Sequence, residues 1–151
     1  MRLSCLRALL PAVAFTMACH ESTSPPPLAS GVYVLESVNG QGVPAIVSAS
    51  QIDTSFILSA TITLDGTGHA IRSEHWRYVY QPNHVEEGTF TANAEYRITG
   101  DNITVGSFQP CPANALCEGN KVGEFTSTTL TLAYENNPTA PVFLYRLAPT
   151  L

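Results

Sequence analysis

Hydrophobic and polar residues alternate along much of the chain after residue 31. In the stretch 58–64, Leu, Ala and Ile occupy the even positions, and Ser and Thr occupy the odd ones. The stretches 90–98 and 130–134 follow the same pattern. A period of two is typical of a β-strand with one buried face and one solvent face. The pattern therefore predicts a strand at each of these three places.

Other stretches rich in β-branched and aromatic residues predict further strands, separated by short turn-forming sequences. The additional predicted strands are Val32–Val38, Ala70–Tyr80, Asn102–Phe108, Val122–Thr126 and Val142–Leu147. The turns are Asn39-Gly40, Asp65-Gly66, Gly100-Asp101 and Asn136-Asn137-Pro138. Only the short stretch Pro44–Ser50 is a candidate helix. About eight strands in one domain at 31–151 predict an all-β fold, either an antiparallel up-and-down barrel or a β-sandwich.

Composition agrees with an all-β domain and excludes several classes of protein. Charged residues make up 13% of the chain, about half the roughly 25% of an average globular protein. Threonine on the solvent faces of strands explains part of this deficit, because its β-branched side chain suits a strand. The net charge is −5 with only seven basic residues. We therefore expect no nucleic-acid partner, since phosphate binding needs a basic patch.

The first residues have the features of an export signal. Two arginines precede the apolar run Ala8–Met17, which is too short to span a bilayer. The following Thr16-Met17-Ala18-Cys19 resembles a bacterial lipobox, in which the cysteine is acylated. The resemblance implies a lipoprotein signal peptide at 1–18, lipidation of Cys19, and a lipid-anchored protein of the bacterial cell envelope on the periplasmic or outer-membrane face. The alternative is cleavage after Ala18 without a lipid.

The remaining cysteines fit this interpretation. Cys5 leaves with the signal and Cys19 takes the lipid, so Cys111 and Cys117 remain as a pair. In an oxidising compartment the pair is expected to form a disulfide. Residues 19–30 contain Pro25-Pro26-Pro27 among Ser and Thr and are expected to form an extended tether. From Cys19 onward five basic residues face twelve acidic ones, a net charge of −7, so the lipid rather than the protein surface is expected to hold the chain to the membrane.

Four short motifs resemble those of bacterial lipocalin-like, calycin-type lipoproteins. They are Gly31-Val32-Tyr33, Ser37-Val38-Asn39-Gly40, Leu64-Asp65-Gly66-Thr67-Gly68 and Phe143-Leu144-Tyr145-Arg146. The resemblance implies an eight-stranded barrel closed at one end by packing of the first-strand aromatic, Tyr33, against the last-strand Arg146 through a cation–π contact. The sandwich stays open as the alternative.

An eight-stranded barrel either fills with side chains or holds one small ligand. The residues predicted to face inward, and to line a cavity if one exists, are Leu58, Ala60, Ile62, Phe90, Ala92, Ala94, Tyr96, Leu130 and Leu132. Since this set contains no charged residue, we expect any bound ligand to be apolar or aromatic.

The stretch His69–Glu87 holds three of the four histidines and the only tryptophan. Three interpretations apply: a metal or acid–base site built from His and Glu, a rim that contacts a ligand or partner, or an exposed hairpin with cross-strand charge pairs. The candidate rim residues are His69, His75, Trp76, Tyr78, Tyr80 and His84.

The chain lacks a phosphate-binding glycine loop and a Gly-x-Ser-x-Gly nucleophile motif. We expect no enzymatic activity, no cofactor and no metal. The sequence predicts an exported, lipid-anchored barrel that binds a small apolar ligand or an envelope protein. The alternative is a structural or inhibitory lipoprotein with a solid core and no ligand.

Overall fold

A computed structural model describes residues 29–82, 84–109 and 119–149. Within these ranges the chain forms ten β-strands and no helix. The strands are β1 (Ser30–Val38), β2 (Gln41–Gly42), β3 (Ala45–Ala49), β4 (Asp53–Asp65), β5 (His69–Tyr80), β6 (His84–Thr99), β7 (Asn102–Gly106), β8 (Lys121–Phe125), β9 (Thr129–Tyr134) and β10 (Phe143–Leu147).

Eight of these strands close into an antiparallel barrel, which confirms the predicted fold and rules out the sandwich. From β4 to β10 each strand pairs with the next one along the chain. The barrel closes because β1 pairs with β10 on one side and with β4 on the other. The short strands β2 and β3 lie outside this ring of eight, with β2 paired to β1 and β3 paired to β4.

All eight predicted strands are present, but the candidate helix at Pro44–Ser50 is wrong. Within this stretch Ala45–Ala49 form β3, which pairs with the first part of β4. Ala45 is buried and Val47 packs against the core. The sheet covers these two apolar side chains, whereas an isolated helix of about two turns would leave them exposed.

The core is filled by large side chains from all around the barrel. The hydrophobic residues with at most 3% of their surface exposed are Tyr33, Leu35, Val38, Ala45, Ile57, Ala60, Ile62, Leu64, Ala70, Tyr96, Ile103, Val105, Leu130, Leu132, Phe143 and Tyr145. Of the predicted inward set, Ala60, Ile62, Tyr96, Leu130 and Leu132 are therefore core residues.

The prediction for Leu58 is wrong because β4 contains a bulge. Ile57 pairs with Trp76 and Ser59 with His75, so Leu58 is an extra residue between two paired positions. A bulge reverses which alternate residues face inward. Ile57 is accordingly fully buried, whereas Leu58 is only half-buried.

The predicted contact between Tyr33 and Arg146 is not formed. Tyr33 points into the core, where its ring meets the edge of Phe125 at 6.2 Å between centroids. Arg146 pairs with Val34 on the opposite, outer face of the wall. There its guanidinium binds both carboxylate oxygens of Glu36 at 2.8 and 3.2 Å. An ion pair on the outer surface, rather than a cation–π contact inside, joins the first and last strands.

Unequal strand lengths give the barrel two different ends. The strands β7 to β10 have five or six residues each, whereas β4, β5 and β6 have 13, 12 and 16. At the N-terminal end, Ser30 pairs with Asp65. At the other end, Asp53 pairs with Tyr80 beside the turn between β5 and β6. We call this second end the hairpin end, and the length of β4 separates the two by about 40 Å.

Several predictions concern residues outside the described ranges. These are the signal peptide at 1–18, Cys19 with most of the tether, and the pair Cys111 and Cys117. Among the described residues, no helix is long and apolar enough to cross a membrane.

Candidate functional site

Four aromatic side chains form a continuous row at the hairpin end. Trp76, Tyr78 and Tyr80 are alternate residues of β5, and His84 is paired with Tyr80 on β6. Neighbouring rings lie 6.0, 6.4 and 5.7 Å apart between centroids, with interplanar angles of 14°, 18° and 27°. These values are typical of offset stacking. We call these four residues the aromatic row.

The strand period explains why the row faces the barrel interior. Ala70, Arg72 and Glu74 precede Trp76 at alternate positions of β5 and are buried. The row continues this inward face toward the hairpin end, beyond the point at which the short strands β7 to β10 end. Trp76 is half-buried and packs against the core, whereas Tyr78 is 38% exposed. The row therefore begins in the core and ends in solvent.

Below the row, three charged side chains are buried together. Glu74 Oε1 lies 2.9 Å from Arg72 Nε and 3.0 Å from Lys121 Nζ. The exposed fractions of Arg72, Glu74 and Lys121 are 5%, 3% and 0%. We call these three residues the charged cluster. The predicted inward-facing set contains no charged residue, so these three residues lie outside that prediction.

The charged cluster also fixes two aromatic rings at the hairpin end. The Trp76 indole N–H donates a hydrogen bond of 3.0 Å to Glu74 Oε2. The Arg72 guanidinium lies 5.5 Å from the centroid of Phe90. Cation–π attraction is strongest where water is excluded. The cluster therefore orients the Trp76 indole and attracts the Phe90 ring to Arg72.

Aromatic rings also surround the lysine of the cluster. Lys121 Nζ lies 4.9 Å from the Tyr134 ring centroid and 4.8 Å from that of Phe143. Removing an ammonium group from water is costly. The carboxylate and the two rings offset part of this cost and leave the amine enclosed.

The six residues of the predicted rim do not all meet. Trp76, Tyr78, Tyr80 and His84 form the aromatic row. His75 lies on the opposite face of β5, with Nε2 3.8 Å from Glu87 Oε2. His69 is at the far end of the same strand, where it pairs with Glu95.

The three histidines of this stretch do not converge on one point, as a shared metal or acid–base site would need. His84 pairs with Tyr80, which lies eleven residues along β5 from His69, or about 35 Å. The His84 Nε2 contact with Glu86 Oε1, at 2.8 Å, is an exposed pair. Arg77 and Glu87 form a further exposed pair on the outer face, as the surface-hairpin interpretation predicts.

Three residues of the predicted cavity lining, Phe90, Ala92 and Ala94, lie on the inward face of β6. Ala92 pairs with Arg72 and Ala94 pairs with Ala70, and both are half-buried. Phe90 shares their face but is 47% exposed, because this part of β6 rises past the short strands. Its prediction as a buried lining residue is wrong.

Two groups near the ends of the barrel have shifted pKa values with clear causes. Burial raises the pKa of the Tyr78 hydroxyl, and the neighbouring Tyr80 and Glu74 add to the shift. Hydrogen bonds from Thr67 lower the pKa of Asp65 to about 2, with a weaker contribution from the His69 backbone. Tyr78 therefore keeps a neutral hydroxyl at physiological pH, and the turn after β4 holds a carboxylate.

Two clefts lie away from the row, near the N-terminal half of β5. One has a volume of about 300 Å³ and the other about 240 Å³, and His69, Asn93 and Ala94 line both. Among the described residues, no group of three or more His, Cys, Asp or Glu is positioned to hold a metal ion.

Sequence reasoning missed the charged cluster because its local signal is weak. Both faces of β5 mix polar and apolar residues, so alternation alone does not show that Arg72 and Glu74 point inward. The strand predicted at Val122–Thr126 excludes Lys121, whereas the observed strand β8 begins at this residue. The one available signal is that Arg72 and Glu74 share even numbering with Ala70 and with the row residues of β5.

Comparison with known proteins gives no relative. No protein-family profile, curated protein or solved structure matches the chain.

Proposed function

We propose that this protein is an exported, lipid-anchored envelope protein of the lipocalin-like type, whose barrel binds a small ligand at the aromatic row without catalysis. The observation that carries this proposal is the row itself, since four stacked rings run along the inward face of the hairpin from the core into solvent. Ligand sites combine apolar and aromatic lining with a few fixed polar groups.

The chemistry of the row suggests the class of ligand. Its rings offer apolar surface, and the hydroxyls of Tyr78 and Tyr80 together with the His84 imidazole offer hydrogen bonds. A small ligand with an apolar or aromatic body and a polar edge suits this combination. Trp76, held by Glu74 at 3.0 Å, is a preorganised contact that such a ligand need not order on binding.

The architecture also suggests how the site is presented. The tether joins β1 at Ser30, beside Asp65, whereas the row ends beside Asp53. If Cys19 carries the lipid, the anchored end and the ligand end lie about 40 Å apart along β4. The row then faces away from the membrane, toward soluble ligands or envelope proteins.

The filled core favours the alternative, a structural or inhibitory lipoprotein without a ligand. Tyr33, Tyr145, Phe143 and Ile57 each expose at most 1% of their surface and occupy the barrel interior. This filling argues against a ligand deep inside the barrel, at the predicted positions Ala60, Leu130 and Leu132. It leaves the hairpin end of the barrel, beside the aromatic row, as the proposed site.

Mass spectrometry of the protein purified from its native membrane tests the export and anchoring parts of the proposal. The expected result is a chain that begins at an acylated Cys19, contains a Cys111–Cys117 disulfide and carries a retained small molecule. An unmodified N-terminus after Ala18 contradicts the lipid anchor. A chain that still carries residues 1–18 contradicts export.

Binding of 8-anilinonaphthalene-1-sulfonate, an apolar fluorescent probe, tests the site. We expect Tyr80→Ala to weaken probe binding about tenfold, because it removes a ring from the middle of the row. Val85→Ala is the matched control, since Val85 is 54% exposed on the same hairpin but pairs with Val79 on the outer face. Equal affinity in the two variants excludes the row as the probe site.

A further inference from the structure

One edge of the long strand β6 has no strand beside it among the described residues. β7 pairs with β6 only from Glu95 to Thr99. Over 84–94, the described part of the chain pairs β6 with β5 alone. An edge of this length presents a row of backbone donors and acceptors that another strand can pair with.

Gly88, in the middle of this edge, is not required by its own chain. Its backbone torsion is not left-handed, and a Cβ added there meets no atom within 4 Å. Glycine weakens a strand interior and often marks a place where another backbone or a ligand approaches closely. The empty side-chain position at Gly88, which we call the gap, lies on the inward face of the hairpin, directly across from Trp76.

Phe90, two residues further along the same face, is the complementary feature. It is 47% exposed, although its ring is held near the Arg72 guanidinium. One strand edge therefore carries a projecting ring and an empty position next to each other. In a two-fold, isologous interface the same surface of both copies meets, so the Phe90 ring of each copy can fill the empty position at Gly88 of the other.

We propose that two copies of this protein pair through their β6 edges as antiparallel strands. The two-fold axis passes midway between the two copies of Thr89, so Thr89 faces Thr89 of the partner subunit. In this register each Phe90 lies opposite Gly88 of the partner subunit. An aromatic ring across from a strand glycine covers the exposed backbone and restores packing that the glycine lacks.

The charges on the edge agree with this register. Glu86 falls opposite Ala92 of the partner subunit, and Glu87 falls opposite Thr91 of the partner subunit. No carboxylate faces another directly, although the chain is acidic overall. Like charges directly opposite destabilise a strand pair, so pairings centred near Glu86 or Glu87 are disfavoured.

Cysteine cross-linking of the full chain tests the interface. In Thr89→Cys the two new thiols lie at the axis, with Cα atoms about 4.5 to 5.5 Å apart, within disulfide range. Mild oxidation is expected to give a band of twice the chain mass that a reductant removes. In the control Val85→Cys the same-residue distance is about 27 Å, so neither this variant nor the wild-type chain is expected to give that band.

A second variant separates loss of the interface from loss of the fold. In Gly88→Leu the added Cβ meets no atom of its own chain within 4 Å, and the rest of the side chain occupies the position proposed for Phe90 of the partner subunit. We expect an unchanged melting temperature and at least a tenfold weaker self-association by sedimentation equilibrium. Monomeric wild-type chain overturns the proposal. So do equal cross-linking of the Thr89→Cys and Val85→Cys variants, capture of a different protein by the Thr89→Cys variant, and unchanged self-association of Gly88→Leu.

Discussion

At the residue scale, Glu74 joins the core to the aromatic row. One carboxylate oxygen contacts Arg72 and Lys121, and the other accepts the Trp76 indole N–H. A buried ion pair contributes little net stability when both charges are present, because desolvation opposes attraction. Removing one member is costly for the same reason. Glu74 is therefore the position where a small chemical change has the largest expected effect.

We expect Glu74→Gln to lower the free energy of unfolding by about 3 to 5 kcal/mol, because it leaves the buried cations beside a neutral amide. Chemical denaturation measures the change. Glu87→Gln is the control on the same strand pair, since Glu87 is exposed in its contact with Arg77 and its loss is expected to cost at most about 1 kcal/mol. Similar losses in the two variants would show that the cluster does not have the role assigned to it.

Asp65 gives a prediction about acid stability. Its pKa is about 2 in the folded protein, below the value of about 3.9 in an unfolded chain. A lowered pKa stabilises the fold above the unfolded value, and that contribution is lost as the pH falls from about 4 to 2. Asp65→Asn should therefore unfold with a shallower pH dependence over this range. Carboxyl chemical shifts provide the direct check, and an Asp65 midpoint near 4 contradicts the assignment.

At the scale of elements, alternation predicted all eight barrel strands and failed where a strand changes register. The odd and even faces of β6 and β9 are as expected, with Tyr96, Leu130 and Leu132 buried. In β4 the bulge at Leu58 reverses the pattern for Asp53–Ile57. No local sequence feature at Leu58 indicates the bulge, because a bulge depends on the geometry of the neighbouring strands.

The strand pair β8 and β9 gives a second element-scale prediction. A Cβ at Gly123 collides with the backbone carbonyl of Thr131, so the two strands approach too closely there for any side chain. We expect Gly123→Ala to lower the free energy of unfolding by about 1 to 3 kcal/mol, in the range of overpacked sites. Gly88→Ala, where a Cβ meets nothing, is the comparison and should change stability by less than about 0.5 kcal/mol.

At the scale of the whole molecule, the two ends of the barrel are expected to have separate roles. The N-terminal end receives the chain at Ala29, whose carbonyl accepts a hydrogen bond from the Tyr96 hydroxyl. The hairpin end carries the aromatic row and the unpaired edge of β6. On the proposed function, anchoring and binding do not compete for the same surface.

This separation predicts the behaviour of the single tryptophan. Trp76 lies six residues along β5 from Ala70, about 20 Å from the N-terminal end. In vesicles that carry the lipidated protein, brominated acyl chains should leave Trp76 fluorescence unquenched, whereas a water-soluble quencher should reduce it. Strong quenching by the brominated lipid would mean that the hairpin end lies against the membrane.

The linear pattern of residues was enough to predict an all-β domain with its strands and turns, because alternation and turn-forming residues act locally. It also predicted an inward-facing set that contains no charged residue. The closed barrel places charged residues in the interior as well, since closure sets which distant strands meet. Only closure brings Lys121 to Glu74, 47 residues earlier, and only the bulge in β4 determines which of its side chains point inward. The aromatic row was predicted in part. The sequence identified its residues as candidates, but only the unequal strand lengths place them beyond the end of the core.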